Sequence, residues 1–224
     1  MCGGRGTRMA TDREKPLVAV DGRDTLDRVL DAVLAAERVD RVHAVVSPNA
    51  PATRSHVTGR AAEIDDLRTI RAPGDGYVAD LRTALDRVTR PVASVASDVP
   101  LLAGSLVDRL LREADGSTTV VVPARLKRTL GVSVDERPYG ARDDREPDAD
   151  SPIGEPDDAW VPSGVNVVGH DDDDPLESWD ARLAVNLNYR SDVRVAERLA
   201  HEGSDGSLDG DESQEGDELQ DGDG

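Results

Sequence analysis

Short apolar runs that favour β-strands alternate along this chain with stretches in which apolar residues recur at helical spacing. The strand-like runs lie at residues 17–20, 42–46, 64–70, 92–96, 118–122 and 164–168. The helical stripes lie at residues 26–34, 78–88, 106–111 and 193–199. Strands that alternate with amphipathic helices pack as a mainly parallel sheet with helices on both faces. The sequence therefore predicts an α/β fold, in which ligands bind beyond the carboxyl ends of the strands.

Two acidic stretches interrupt this alternation and set the predicted domain limits. Residues 136–158 are rich in Pro, Gly and Asp and exceed the usual length of a loop. This segment is either an active-site flap or an inert insertion. Residues 203–224 contain six Asp, three Glu and no basic residue, and their two leucines cannot offset the entropy of ordering. We predict one domain over 1–202 with this insertion, and a disordered tail at 203–224 that either solubilises the protein or docks a basic partner.

Charge, cysteine content and the length of the apolar runs exclude several classes of protein. A formal net charge of −19 offers no basic surplus for coating nucleic acid. One cysteine, Cys2, excludes an internal disulfide framework, and no apolar run reaches the ~20 residues of a transmembrane helix. No apolar leader is present, so we expect a cytoplasmic protein without a stable membrane anchor. Only two of the 27 basic residues are lysines, and this acidic composition predicts a halophilic source, where salt screens self-repulsion.

The front of the chain holds the most informative chemistry. Glycines occupy positions 3, 4 and 6, and the cations there are Arg5, Arg8 and Lys15. Successive backbone N–H groups in a glycine-rich turn form an anion nest, and fixed positive charge beside it suits a triphosphate. A tight turn without a ligand is the alternative interpretation. A Walker A loop is excluded, because no Gly-Lys-Ser/Thr follows at its spacing.

The pattern Gly-Gly-x-Gly-Thr-Arg-Met at residues 3–9, with Glu-Lys-Pro at 14–16, resembles the signature of the MobA-like nucleotidyltransferases. Further segments match in order, at residues 47–53, 74–81, 97–98, 161–168 and 186–192. Together, over residues 1–199, they resemble the archaeal GTP:adenosylcobinamide-phosphate guanylyltransferases (CobY type) within that family. The resemblance implies a Rossmann-like nucleotidyltransferase fold. It also implies transfer of GMP from GTP to adenosylcobinamide phosphate, with release of pyrophosphate, in cobalamin nucleotide-loop assembly.

By the same resemblance, the glycine-rich turn binds the triphosphate of GTP. The residues that would wrap it are Gly3, Gly4, Gly6, Thr7 and Arg8. Lys15 would neutralise phosphate charge, and the implied catalytic set is Arg8, Lys15 and Asp98. Nucleotidyl transfer depends on positioning and charge stabilisation, so this set needs no protein nucleophile.

Asp98 directly follows a predicted buried strand, and the resemblance implies that it holds Mg²⁺ against the phosphates. A carboxylate that only caps the next helix is the alternative. Asn186 would complete the nucleotide site, with Asn188 as the second choice, and either of them is a further candidate metal ligand. A buried Asn that holds a turn is the alternative there.

Four more residues are expected around the guanine base and the ribose. Ser47 and Asn49 resemble the base-recognition segment of the family, and an Asn amide can hydrogen-bond guanine. An ordinary strand-to-loop stop is the alternative for both. Gly76 and Gly164 would permit close backbone approach to the nucleotide, or would serve only as turn glycines.

Members of this family carry a buried strand before the glycines, whereas only Met1 and Cys2 precede them here. We therefore expect a start upstream of Met1, because loss of an interior strand leaves backbone groups of its neighbours unpaired. Trp160, Trp179 and Tyr139 flank or occupy the acidic insertion, and we expect them to fill local core rather than bind the corrin. The resemblance favours a homodimer.

Two other functions stay open from the sequence. A molybdenum-cofactor guanylyltransferase, or another MobA-like NTP transferase, would share the phosphate-binding turn and Asp98. A GTP-binding module without catalysis is the alternative from another class. Lys15 together with Asp98 favours an enzyme, because binding alone does not require both a phosphate clamp and a metal ligand.

Overall fold

A computed structural model describes residues 1–2, 9, 11–140, 159–170 and 173–205, with side chains up to residue 202. The strands are β1 (Ala19–Val20), β2 (Arg23–Asp24), β3 (Val42–Val46), β4 (Leu67–Arg71), β5 (Val92–Val95), β6 (Ser117–Pro123), β7 (Trp160–Val168) and β8 (Asp173–Glu177). The α-helices are α1 (Thr25–Leu34), α2 (Pro51–Glu63), α3 (Tyr77–Leu85), α4 (Gly104–Glu113), α5 (Ala124–Leu130) and α6 (Arg190–Asp205). Two 3₁₀ turns cover Lys15–Leu17 and Ala181–Leu183.

The strands form one hairpin and two sheets. β1 and β2 pair antiparallel, and β3 and β4 pair in parallel. The larger sheet has the order β5-β7-β6-β8. β7 runs antiparallel to β5 and β6, whereas β6 and β8 are parallel. The predicted α/β fold is confirmed, but the larger sheet is mixed rather than mainly parallel, because β7 runs antiparallel to both of its neighbours.

Helices cover both faces of the β3–β4 sheet. Side chains alternate along a strand, so Val42 and Ala44 of β3 share one face, where they form a core with Leu30 of α1. Val45 points to the other face and packs with Ala84 of α3. Burial on both faces explains why β3 is an almost continuous apolar run rather than an alternating one.

A second core joins the helices to the larger sheet. Val29 of α1 and Leu106 and Leu110 of α4 pack there with Val120 of β6 and Val165 of β7. The helical stripes predicted from the sequence supply these contacts, which confirms the spacing argument for α1 and α4. No helix in the described part of the chain is long and apolar enough to cross a membrane.

The first two residues lie between the two sheets. Cys2 forms an isolated parallel bridge to β3, and its N–H donates to the Val45 carbonyl at 2.9 Å. The amino group of Met1 donates to the Val95 carbonyl at 2.8 Å, and the Ser97 N–H donates to the Met1 carbonyl at 3.2 Å. Met1 and Cys2 therefore connect the end of β3 to the end of β5.

Four of the strands and α-helices have no counterpart among the sequence predictions, namely β2, α2, α5 and β8. α2 buries only Thr53 and Val57, so it shows little helical periodicity. β8 is largely exposed and acidic, and it adds to the sheet by pairing with β6. α6 continues to Asp205, past the predicted limit at 202. Residues 141–158 of the acidic insertion and 206–224 of the tail lie outside the described residues.

The two tryptophans contact each other near the surface. The Trp160 and Trp179 ring centroids are 5.9 Å apart in an edge-to-face arrangement, and Arg125 lies 4.5 Å from the Trp179 centroid. Trp179 is 54 % exposed, so the expectation that it fills local core is wrong. It follows β8 at the edge of the larger sheet, where Arg125 covers one face of the indole and water reaches the rest.

Candidate functional site

Three segments that are distant in sequence meet beyond the carboxyl end of β5. Lys15 begins a 3₁₀ turn, Asp98 follows β5, and Asn188 precedes α6. The Lys15 Nζ donates to Asp98 Oδ2 at 2.6 Å and to Asn188 Oδ1 at 2.9 Å. The side chains of Lys15 and Asp98 are 20 % and 21 % exposed, so this pair is open to a ligand from solvent.

Asp98 is held by its backbone as well as by its side chain. Its carbonyl accepts the Leu187 N–H at 3.0 Å, which fixes the loop after β5 against the segment that carries Asn188. Its Oδ1 atom is buried without a hydrogen-bond partner among the described residues. The alternative that Asp98 caps the following helix is wrong, because α4 begins at Gly104 with Ala103 in the N-cap position.

A second lysine lies next to this group. Lys127 of α5 is fully buried, and its Nζ donates to Glu136 Oε2 at 2.7 Å and to Asn186 Oδ1 at 3.0 Å. Asn188 Nδ2 donates to the other Glu136 oxygen at 3.5 Å, which joins the two lysines. We call this set the two-lysine network; its members are Lys15, Asp98, Asn188, Glu136, Lys127 and Asn186.

Sequence reasoning did not single out Lys127 or Glu136. The available signal was compositional, because Lys127 is one of only two lysines in a chain that otherwise uses arginine. Asp192 was also missed as a site residue. It is fully buried, and its carboxylate accepts the backbone N–H groups of Ser133 at 2.9 Å and Asn188 at 2.8 Å. Asp192 therefore ties together the segments that present Glu136 and Asn188.

The structure distinguishes the two candidate asparagines. Both ends of the Asn186 amide are engaged, since Oδ1 accepts from Lys127 and Nδ2 donates to the buried Ser163 carbonyl at 2.9 Å. Asn188, the second choice from the sequence, is the amide that meets Lys15. Gly164 lies beside Asn186 with φ of +86°, and an added Cβ would come within 3.2 Å of the Asn186 Nδ2. Gly164 therefore lets β7 approach Asn186 closely.

The segments after β3 and β4 pack against each other. Ser47 is buried and its hydroxyl accepts the Asn49 N–H at 3.2 Å, while Asn49 Nδ2 donates to the Gly74 carbonyl at 2.8 Å. Gly74 has φ of +86°, and a Cβ there would lie 2.8 Å from Pro48. Close approach is thus required at Gly74, which the sequence did not single out. Gly76 has φ of +114° but open space around its missing Cβ.

Glu14, directly before Lys15, anchors the N-terminus of α2. Its two carboxylate oxygens accept the N–H groups of Ala52 at 2.9 Å and Thr53 at 2.7 Å. Burial disfavours the charged form of Glu14, but the hydrogen bonds from Thr53 and Ala52 outweigh it and lower the pKa of the carboxyl group. The Glu-Lys-Pro segment therefore links α2 to Asp98.

The glycine-rich turn lies outside the described residues, and with it Gly3, Gly4, Gly6, Thr7 and Arg8. The residues on either side of it are placed. Cys2 ends between the sheets beside β3, and Lys15 contacts Asp98 beyond β5. Cys2 and Lys15 therefore both lie near the sheet edge that carries the two-lysine network.

Another group of potential metal-binding side chains lies around the start of α1. Ligand atoms of Asp24, Asp27 and His56 lie within 4.8 Å of one another. Arg60 already pairs with Asp27 at 2.7 Å, and Arg13 pairs with Asp24 at 3.3 Å. These arginines neutralise the carboxylates, so the group is explained by ion pairing.

The comparisons with known proteins agree with this fold. The family model described as the MobA-like NTP transferase domain matches residues 1–190. Among curated proteins, the chain is 29 % identical over 137 residues to the bifunctional protein GlmU of Bifidobacterium longum, and 32 % identical over 143 residues to that of Bifidobacterium adolescentis. Each match covers 58 % of this chain but only 30 % of the relative's length.

Solved structures share the fold at low sequence identity. A nucleotidyl transferase from Methanothermobacter thermautotroptrophicus gives a TM-score of 0.56 at 18 % identity, covering 90 % of this chain and 95 % of that one. A putative glucose-1-phosphate thymidylyltransferase from Bacillus anthracis gives 0.60 at 11 % identity, covering 89 % and 92 %. Because the family match spans both Lys15 and Asp98, with Asn188 near its end, this chain belongs to the MobA-like NTP transferase family and is a nucleotidyltransferase.

Proposed function

We propose that this nucleotidyltransferase transfers GMP from GTP to adenosylcobinamide phosphate and releases pyrophosphate. The observation that carries the proposal is the contact of Lys15 with both Asp98 and Asn188, which unites three of the sequence segments that resemble the cobinamide enzymes. Two more of these segments meet where Asn49 donates to the Gly74 carbonyl. Segments that carry the resemblance are therefore in contact with one another in the folded chain.

The proposed reaction is a displacement at phosphorus. An oxygen of the acceptor phosphate forms a bond to the α-phosphorus of GTP, and the bond from that phosphorus to the bridging oxygen breaks as pyrophosphate leaves. The nucleophile belongs to the substrate, so the protein positions the two phosphates and stabilises charge. Lys15 would supply positive charge for this role, and Arg8 with Gly3, Gly4, Gly6 and Thr7 would bind the triphosphate.

Asp98 fits a magnesium ion. Its Oδ1 is buried and lacks a hydrogen-bond partner among the described residues, and a carboxylate oxygen is the donor that Mg²⁺ prefers. Asp98 would therefore hold the ion, with the Asn188 side chain as the neighbouring oxygen donor. The bound ion would offset negative charge on the phosphates. Lys15, already 2.6 Å from Asp98, orients this carboxylate.

The guanine base is assigned to the segment after β3. Asn49 is fixed by its bond to the Gly74 carbonyl, and its side-chain oxygen is the type of acceptor that guanine N1–H and N2–H require. Ser47 shapes this turn through its bond to the Asn49 N–H. Gly76, at the start of α3, and Gly164, beside Asn186, would allow the ribose and the base to lie close to the backbone.

Pyrophosphate release tests the proposal directly. The protein is incubated with Mg²⁺ and molar KCl, with GTP or ATP as donor, and with adenosylcobinamide phosphate, molybdopterin or glucose 1-phosphate as acceptor. We expect release with GTP and adenosylcobinamide phosphate only. Release with another acceptor would overturn the acceptor assignment and leave the transferase class intact, and binding of GTP without release from any acceptor would indicate a non-catalytic module.

A further inference from the structure

The side-chain amide of Asn188 lies between two charged groups of opposite sign. Its Oδ1 accepts from the Lys15 Nζ at 2.9 Å, and its Nδ2 lies 3.5 Å from Glu136 Oε1. An ammonium group offers only donors, and an ionised carboxylate offers only acceptors. The two neighbours therefore select one of the two orientations of the amide, the one that turns its oxygen toward Lys15 and Asp98.

The backbone at Asn188 is fixed, so the freedom that remains is in the side chain. Asp192 is fully buried, and its Oδ2 accepts the N–H groups of Asn188 at 2.8 Å and of Tyr189 at 2.7 Å. The torsion that turns an Asn amide is broad and roughly two-fold, so exchange of its oxygen and nitrogen costs little by itself. The groups on either side of the amide therefore decide which of its ends faces the site.

Lys127 orients Glu136 from the opposite side. The side chain of Lys127 is fully buried, and its Nζ donates to Glu136 Oε2 at 2.7 Å and to Asn186 Oδ1 at 3.0 Å. Asn186 is fixed in turn, because its Nδ2 donates to the Ser163 carbonyl. Since the ammonium group offers only donors, the side chain at position 136 must turn an oxygen toward Lys127. The other Glu136 oxygen is left for Asn188.

We propose that Glu136 is a positioning residue for nucleotidyl transfer, which presents the Asn188 oxygen to the site beside Asp98. This inference rests on the proposed role of Asp98 and Asn188 as oxygen donors near the phosphates. A carboxylate serves both Lys127 and Asn188, because both of its oxygens accept. A carboxamide of the same shape does not, because with its oxygen on Lys127 it turns its nitrogen toward Asn188.

The variant Glu136→Gln tests the orientation of the amide directly. We expect the new carboxamide to donate to Asn188, which then accepts with its oxygen and turns its own nitrogen toward Lys15. NMR of the ¹⁵N-labelled protein follows the side-chain amide protons of Asn188. In Glu136→Gln, their NOEs to the methylene protons of residue 136 should weaken, and their NOEs to the Lys15 Hε protons should strengthen.

The consequence for the site is measured as GTP binding by calorimetry, in Mg²⁺ and in EDTA. Residues that orient a metal ligand affect metal affinity by ~10–100-fold, so we expect Glu136→Gln to weaken GTP binding in Mg²⁺ by that factor. In EDTA the two chains should bind GTP with similar affinity. This measurement needs no acceptor, so a wrong acceptor in the proposed function would leave it unaffected.

A double variant that exchanges acid and amide is the matched control. Glu136→Gln combined with Asn188→Asp keeps the total charge and the size of the two side chains. A carboxylate at position 188 accepts from the new carboxamide on one side and from Lys15 on the other, so GTP binding in Mg²⁺ should recover. Lys127 lacks its carboxylate partner in Glu136→Gln and in the double variant alike, so recovery cannot come from that pair. Asn188→Asp alone should bind GTP less tightly than the double variant, because two carboxylates then face each other.

Two results would overturn the proposal. One is an unchanged NOE pattern of the Asn188 amide in Glu136→Gln, which would mean that Glu136 does not select its orientation. The other is an equal loss of GTP affinity from Glu136→Gln with and without Asn188→Asp, which would indicate a purely structural role for Glu136. Reversal of the amide together with recovery in the double variant would support a positioning role.

Discussion

The two lysines of the chain, Lys15 and Lys127, lie in one hydrogen-bond network and are joined through Asn188 and Glu136. All other basic residues in the chain except histidine are arginines. A lysine ammonium is a compact point charge, whereas a guanidinium is a planar fork of donors. Lys15 donates to a carboxylate and to an amide oxygen that lie on different segments, which suits a point charge. Retention of lysine at these two positions therefore fits the geometry of this site.

Replacement of Lys15 tests its role in the transfer reaction. We expect Lys15→Ala to lower kcat/KM for GTP by about 10²–10³-fold, because the cation that pairs with Asp98 is lost. Lys15→Arg should restore little, since the larger fork does not fit between Asp98 and Asn188. Arg13→Ala removes the same charge two residues away from an exposed ion pair with Asp24, and it should change kcat/KM by less than about 3-fold. Equal losses in Lys15→Ala and Arg13→Ala would refute a specific role for Lys15.

Lys127 is expected to contribute mainly to stability. Lys127→Met removes the only charge paired with Glu136 Oε2 in the described network and should lower the free energy of unfolding by about 3–5 kcal/mol, measured in urea. The double variant Lys127→Met, Glu136→Gln should recover part of that loss, because no unpaired carboxylate remains. Additive effects of the two single substitutions would show that Lys127 and Glu136 are not coupled.

At the scale of single elements, loops after strands are held by side chains from distant segments. Glu14 fixes the N-terminus of α2, Asn49 fixes the turn at Gly74, and Asp192 fixes the residues around Asn188. Each anchor is a polar side chain that hydrogen-bonds to backbone groups of another segment and so orients that segment. The strands form the sheet edge at which the site lies, and these hydrogen bonds hold the loops at that edge in position.

The anchor at α2 predicts a dependence of stability on pH. The pKa of Glu14 is lowered from 4.5 in the folded protein, so its contribution is complete above that value and is lost as the pH falls through the folded pKa. Glu14→Gln should lower the free energy of unfolding by about 1–2 kcal/mol at pH 7. The difference between the two proteins should shrink as the pH is lowered toward 3, measured in urea at each pH. A constant difference would exclude ionisation of Glu14 as the cause.

The turn between β4 and α3 predicts a specific glycine requirement. Gly74→Ala combines positive φ with a Cβ 2.8 Å from Pro48, and we expect a loss of about 2–4 kcal/mol in unfolding free energy. Gly22→Ala has a similar φ of +71° and open space, so it should cost only about 1 kcal/mol. Equal costs at the two positions would mean that contact with Pro48 is unimportant.

At the scale of the whole molecule, the secondary-structure elements were easier to predict from the sequence than the contacts between them. The apolar run of β3 and the apolar stripe of α4 were predictable, because the buried positions of these elements are occupied by apolar residues at the spacing of a strand or a helix. α2 and β8 were not, since α2 buries only Thr53 and Val57 and β8 is largely exposed. Lys15, Asp98 and Asn188 were predicted as site residues through the resemblance. The Lys127–Glu136 pair depends on how α5 packs, which no local pattern encodes.

The acidic composition makes a prediction for the whole protein. With 46 acidic and 27 basic residues, the folded chain repels itself in dilute buffer. Raising KCl from about 0.1 M to about 2 M shortens the screening length to a few Å, so the thermal midpoint should rise by ~10 °C. A calorimetric series in KCl measures this, with equimolar sucrose as a control for water exclusion. A flat dependence on KCl would contradict the predicted halophilic origin.

The contact between Trp160 and Trp179 decides what intrinsic fluorescence reports for this protein. These are the only two indoles in the chain, and they lie side by side on β7 and after β8. Tryptophan emission will therefore report on the folding of the larger sheet. The contact of Arg125 with Trp179 makes this emission sensitive to changes at the β8 edge of that sheet. The β3–β4 sheet contributes no indole, so unfolding of that sheet will not change the tryptophan fluorescence directly. A spectroscopic study of that half requires a reporter introduced there.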